Sequence, residues 1–197
     1  MSRFKRMWEW LLPNTEDVLA RGRAGLVLAT CLGLTVAIVG LVLTWIISGD
    51  LQWETPVAGA VLIVLLAGIC ALARTGRVTL ATWTLVALLA LLITADVAFY
   101  GVGSTSAAAY VIPITLAACG LGLWAGLGVA GLSVAWVWLL AWAETAGWYT
   151  PELPPAVYHL TLSAPVLTVL FLTVALIAGL WSRYLNGQLS AIRQQAG

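Results

Sequence analysis

The run CGLGLWAGLG (residues 119–128) decides the fold. It carries no charge and joins two apolar stretches, so it is either the middle of one long element or a hairpin between two. A spanning helix takes about 20 apolar residues, with a range of about 17–25. Split near Trp124, the flanking sequence supplies two such helices, and the chain then has six spans: 24–48, 56–73, 78–99, 107–123, 125–143 and 158–182. Unsplit, it has five.

The basic residues choose between these counts. Arg3, Lys5, Arg6, Arg21 and Arg23 precede the first span, Arg74 and Arg77 separate the second from the third, and Arg183 and Arg193 follow the sixth. With six spans all nine fall on one side of the membrane, whereas five would strand Arg183 and Arg193 on the other. The excess of Lys and Arg in cytoplasmic segments therefore predicts a hairpin near Trp124, with its indole at the interface and both termini in the cytoplasm. Asp50, Glu54, Glu144 and Glu152 fall on the outer side.

Composition requires the bilayer. The chain of 197 residues is 62% hydrophobic and 9% charged, against about 25% charged in a soluble domain. The expected class is an all-α polytopic integral membrane protein, with a transmembrane domain over 14–185 and a short cytoplasmic tail over 186–197. A net charge of +1 supplies no field for nucleic acid. The first apolar run is too long for a cleavable signal and lacks a small-residue cleavage site. Cys31, Cys70 and Cys119 are odd in number and far apart in apolar runs, so they read as packing residues rather than a disulfide framework. No His/Cys cluster has metal-ligand spacing, and no cofactor motif is evident. A bound lipid or pigment is compatible with the eleven tryptophans.

The first twelve residues, MSRFKRMWEWLL, place Phe4, Met7, Trp8, Leu11 and Leu12 at helical spacing among basic residues. This is the pattern of a short amphipathic helix, 1–13, lying on the inner leaflet and ended by Pro13. The same stripe also fits a groove on a partner subunit.

Few polar groups remain to carry chemistry. Asp96 lies three residues before the end of the third span, so at 1.5 Å per residue it sits roughly 5 Å below the outer boundary. At that depth a carboxylate reaches water or headgroups, and a buried proton relay is not required. With Tyr100, Glu144, Trp148 and His159 it forms a candidate outer-face ligand cluster. Two readings of the cluster stay open. One is an interfacial belt of aromatic and hydrated polar groups. The other is a shallow pocket, stiffened by Pro151, Pro154 and Pro155, where His159 pairs with Asp96 or Glu144 and titrates near neutrality.

Two chemistries are disfavoured. An intramembrane serine protease would need Ser133 beside His159, but the serine lies in mid-membrane and the histidine at the surface, roughly 15 Å apart in depth at 1.5 Å per residue. A glycine is also missing after the serine, where Val134 stands. A transporter would be expected to carry charge in the central third of a span, and none does.

The order EDVLARGRAGLVL, ALARTGRVTLA and AAYVIPITLAACGLGLWAGLGVAGLSVAWVWLLAWAETAGWYTP, with Arg21–Arg23, the R-x-G-R of Arg74–Arg77 and the E-x-x-G of Glu144 and Gly147 before Pro151, resembles the six-span N-terminal module of bacterial membrane-bound sensor proteins. In those proteins the sixth helix continues into a histidine kinase, diguanylate cyclase, GAF or PAS domain. The sequence through Gly197 carries no phospho-acceptor histidine segment, nucleotide-binding glycine loop or cyclase motif. The resemblance thus implies a non-catalytic input module in the inner membrane, whose output a protein partner supplies. The alternative is an accessory or structural subunit of a larger membrane complex, of which a bioenergetic complex is one example; the eleven tryptophans fit lateral contacts with protein, pigment or lipid.

Overall fold

The computed structural model describes residues 18–48, 54–102, 104–148, 150 and 160–196. The expected amphipathic helix with Phe4, Met7, Trp8, Leu11 and Leu12 lies outside these residues, as does His159. Every regular element among the described residues is helical: α1 (Val18–Ser48), α2 (Glu54–Arg74), α3 (Val78–Tyr100), a 3-10 turn (Thr105–Tyr110), α4 (Val111–Gly120), α5 (Leu123–Thr145) and α6 (Leu160–Ala196). Five are long and apolar enough to cross a membrane: Arg21–Ser48, Pro56–Arg74, Val78–Tyr100, Leu123–Thr145 and Ala164–Arg183.

The fourth run is shorter, Ser106–Gly120. It was expected over 107–123, and two physical features account for the difference. Its first part is wound as a 3-10 helix, which rises about 2.0 Å per residue against about 1.5 Å in an α-helix. Its end is fixed by Gly122, whose φ of +108° disfavours residues with a Cβ. The Leu121 and Gly122 N–H groups both donate to the Ala117 carbonyl, at 2.9 and 3.1 Å. The turn therefore falls at Leu121–Gly122, just before the expected position, and the exposed Trp124 stands in the first turn of α5.

A helix satisfies its own backbone polar groups, which is why apolar runs of this length take that form in lipid. The hydroxyls obey the same constraint. Thr30, Thr35, Thr82, Thr84, Thr115 and Thr168 each donate to the carbonyl four residues earlier, at 2.7–2.9 Å. Ser133 does likewise to Val129, at 2.9 Å.

The chain divides into two compact units, one through Leu85 and the other from Val86. In the first, α1 packs on α2, and Gly59 of α2 sits where a Cβ would meet Ile38 Cγ2 at 3.3 Å and Val42 Cγ2 at 3.4 Å. In the second, α4, α5 and α6 pack against one another. That core is built of small residues with a few large ones: Ala107, Ile114, Ala117 and Ala118, then Val129, Ala130 and Val137, then Ala164, Phe171 and Ala175. Small side chains let helix backbones approach closely, and van der Waals contact gains accordingly. The closest approaches cluster at the α4–α5 turn. A Cβ on Gly126 would lie 2.6 Å from Ala118 Cβ, and one on Gly179 would lie 2.9 Å from Leu123 Cα. Ser182 Oγ, one turn on, donates to the Cys119 carbonyl at 3.3 Å.

Candidate functional site

Glu144 is the best-anchored polar group of the expected cluster. It stands in the last turn of α5, half-buried, and its Oε1 accepts the backbone N–H of Val102 at 2.9 Å. Val102 is buried and follows Gly101, whose φ of +89° turns the chain out of α3. The carboxylate thus fastens the end of α5 to the connection just beyond Tyr100.

The geometry after Glu144 explains the E-x-x-G spacing. Gly147, at φ +71°, donates to the Glu144 carbonyl at 3.2 Å, and Trp148 donates to the Ala143 carbonyl at 3.0 Å. These are the paired bonds of a Schellman cap, with the left-handed glycine at its centre. The apolar contact that accompanies such caps is also present: the Trp148 ring meets Trp142 edge-on, with centroids 4.7 Å apart. Trp148 therefore closes its own helix, and most of its surface remains exposed.

The other expected residues are less engaged. Asp96 is half-buried on α3 and makes no hydrogen bond or ion pair among the described residues. Tyr100 ends α3, exposed, with its ring edge-on to Phe99 at 4.9 Å. The suggested pairing of His159 with Asp96 or Glu144 lies outside the described residues. Ser133, the candidate nucleophile of the disfavoured protease reading, is buried and spends its hydroxyl on its own helix. No group of three or more His, Cys, Asp or Glu able to hold a metal occurs among the described residues.

Sequence reasoning missed a second polar contact. Tyr110, ending the 3-10 turn, is buried, and its hydroxyl lies 2.6 Å from Thr94 Oγ1 on α3. Its ring meets Phe171 of α6 edge-on at 5.8 Å. One signal was available: a phenol set in an apolar run must find a partner for its O–H when buried. The partner could not be read, because nothing local links Thr94 to Tyr110. Tyr110→Phe should leave the ring packing intact and cost about 1 kcal/mol, the net worth of one hydrogen bond. Thermal unfolding of the variant in a fixed detergent, beside Thr94→Val, checks this. The double variant should lose less than the two single losses added together.

Across α5 a further contact ties two helices: Trp138 Nε1 donates to Thr168 Oγ1 of α6 at 3.1 Å. The hydroxyl of Ser104 and the indole nitrogen of Trp136 are buried without a partner among the described residues. Comparison of the chain with family models, with curated proteins and with solved structures found no match.

Proposed function

We propose that the chain is a non-catalytic input module of the cell's inner membrane, with six spans and both termini cytoplasmic, in which a change at the Glu144 end alters helix packing and α6 carries it inward. The observation that carries this reading is the length of α6. It runs unbroken from Leu160 to Ala196, 37 residues, or about 55 Å at 1.5 Å per residue. That is far more than the ~30 Å hydrocarbon core requires. The excess follows Ser182 on the side that carries the basic residues. A rigid rod anchored in the core by Phe171 and Gly179 moves as a unit when its anchors shift. At the other side Glu144 joins α5 to the end of α3, so a ligand or bilayer change that favours the broken over the formed contact shifts the population of packings.

Six spans follow from the charge distribution, with the 105–120 run as the fourth. A cysteine introduced at Arg183 and probed with a membrane-impermeant maleimide should be protected in intact cells and labelled in inverted vesicles. Labelling from outside would overturn the orientation. Given the orientation, Asp96→Ala, Glu144→Ala, Trp148→Ala and His159→Ala should each lower the response of a reporter output fused after Gly197 while preserving expression. Unchanged responses in all four would remove this cluster from the reading.

One observation favours the accessory-subunit reading. The exposed face of α5 carries Trp124, Gly128, Gly131, Ala135, Trp138 and Trp142 at alternating spacings of four and three. That is the periodicity of a helix–helix seam. A Cβ built on Gly128 or Gly131 meets nothing within 4 Å, so the groove is open to a partner helix. Extraction in a mild detergent separates the two readings: a stoichiometric co-purifying subunit, lost in Gly131→Leu, supports the subunit, and a lone species argues against it.

A further inference from the structure

We propose that Cys31 and Cys70 form a dithiol–disulfide site, oxidised by a lipid-soluble quinone, whose closure cross-links α1 to α2. The site lies wholly within the first unit. It rests on the membrane placement of those two helices and is independent of the Glu144 cluster.

The helix register places the pair. Gly59 of α2 lies against Ile38 and Val42 of α1. From Gly59 to Cys70 is eleven residues along α2, and from Val42 back to Cys31 is eleven along α1. At 3.6 residues per turn, eleven residues is about three whole turns, so each step returns to the same face. Two helices running in opposite directions therefore bring Cys31 opposite Cys70. The two thiols lie close enough there to interact electrostatically. Both thiols are free, with Cys31 buried and Cys70 half-buried.

Disulfide formation needs Cα atoms about 4.4–6.8 Å apart, which calls for closely packed helices. Gly59 supplies close packing on this same face. The surroundings select the chemistry. Dithiol and disulfide are both uncharged, so oxidation places no charge among apolar helices, whereas a monovalent metal held by two thiolates would leave a net negative charge there. Cys70 is one turn, about 6 Å, from Arg74 at the polar end of α2, so a lipid-soluble oxidant would meet it near the membrane interface. Exposed Ala67 and Ala71 beside it are small and keep the approach open.

The step balances. Two S–H bonds break and one S–S bond forms. The two electrons and two protons reduce the quinone, which leaves as the hydroquinone. An external dithiol reverses the bridge by exchange.

The test uses the full chain in nanodiscs of phosphatidylcholine and phosphatidylglycerol, incubated with excess decylubiquinone, quenched in acid, denatured and alkylated with a polyethylene glycol maleimide. The reduced chain has three cysteines and takes three labels. After quinone it should take one, its mass before labelling should fall by about 2 Da, and one hydroquinone should appear per chain. Cys119→Ser should then take none after quinone, and the half-buried Cys70→Ser should lose no label on treatment. Three labels after quinone, a loss of label that requires Cys119, or a bridge that forms only with copper–phenanthroline would each overturn the proposal. The wild-type chain alone decides the main outcome, so a variant that fails to fold does not obscure it.

Discussion

Gly126→Leu is expected to abolish the packed arrangement of α4, α5 and α6. The reason is backbone contact rather than side-chain crowding. A Cβ at position 126 already meets Ala118 Cα at 2.9 Å and Ala118 N at 3.2 Å, besides the Ala118 methyl. Backbone atoms cannot rotate away as a rotamer does, so α4 and α5 would have to separate. Forcing extra methylenes into a packed core typically costs about 1–3 kcal/mol, and the bulk of leucine against backbone belongs at or above the upper end. Even Gly126→Ala should destabilise, although alanine favours a helix over glycine by about 1 kcal/mol. The sign of that alanine effect is the diagnostic. At Gly128 and Gly131 a Cβ meets nothing within 4 Å, so alanine there should be neutral or stabilising. Denaturation in mixed micelles, read by tryptophan fluorescence across the alanine series, checks the contrast. Equal effects at 126, 128 and 131 would mean that the close α4–α5 approach is absent. Gly179→Leu should behave like Gly126→Leu, because the Leu123 backbone occupies its space.

The same glycines show what the sequence could and could not disclose. Helix positions were readable because lipid demands long apolar runs and charges punctuate them: Arg74 and Arg77 bracket the α2–α3 turn, where Gly76 adopts φ +86°. The α4–α5 break was readable in kind, from charge balance, but misplaced slightly because weight fell on Trp124 as an interface residue. The conformational demand falls on Gly122, the residue there with positive φ. Long-range pairings were not readable. Thr94 with Tyr110 and Cys31 with Cys70 depend on how far one helix slides along another, and packing sets that slide. Nothing in an almost uniformly apolar sequence marks it. The Glu144–Gly147 spacing was noticed as a resemblance, and its local cause is helix capping. Capping accounts for Gly147 and Trp148 but places no requirement on an acid at 144.

That residual requirement gives the second large prediction. Glu144→Ala should expose an unsatisfied buried donor, because Val102 N–H is withdrawn from solvent and has the carboxylate as its partner. Leaving such a group unpaired costs about 1–3 kcal/mol. Glu144→Gln keeps an acceptor oxygen at the same reach, so most of the loss should be restored, short of the extra strength of a charged acceptor. Stability alone cannot separate this from a general loosening of the α5 end, so the amide itself is the better reporter. Hydrogen exchange at Val102, measured in micelles, should accelerate strongly in the alanine variant and little in glutamine. Gly147→Ala provides the contrast. It strains the left-handed cap position by roughly 1 kcal/mol yet leaves the carboxylate in place, so it should lower stability without singling out the Val102 amide. Matched exchange rates in Glu144→Ala and Glu144→Gln would show that the carboxylate oxygen does not hold the α3 connection. The proposed path from the Glu144 end to α6 would then have to run through Tyr110, which touches both Thr94 and Phe171, and Tyr110→Phe would become the variant expected to alter the proposed response.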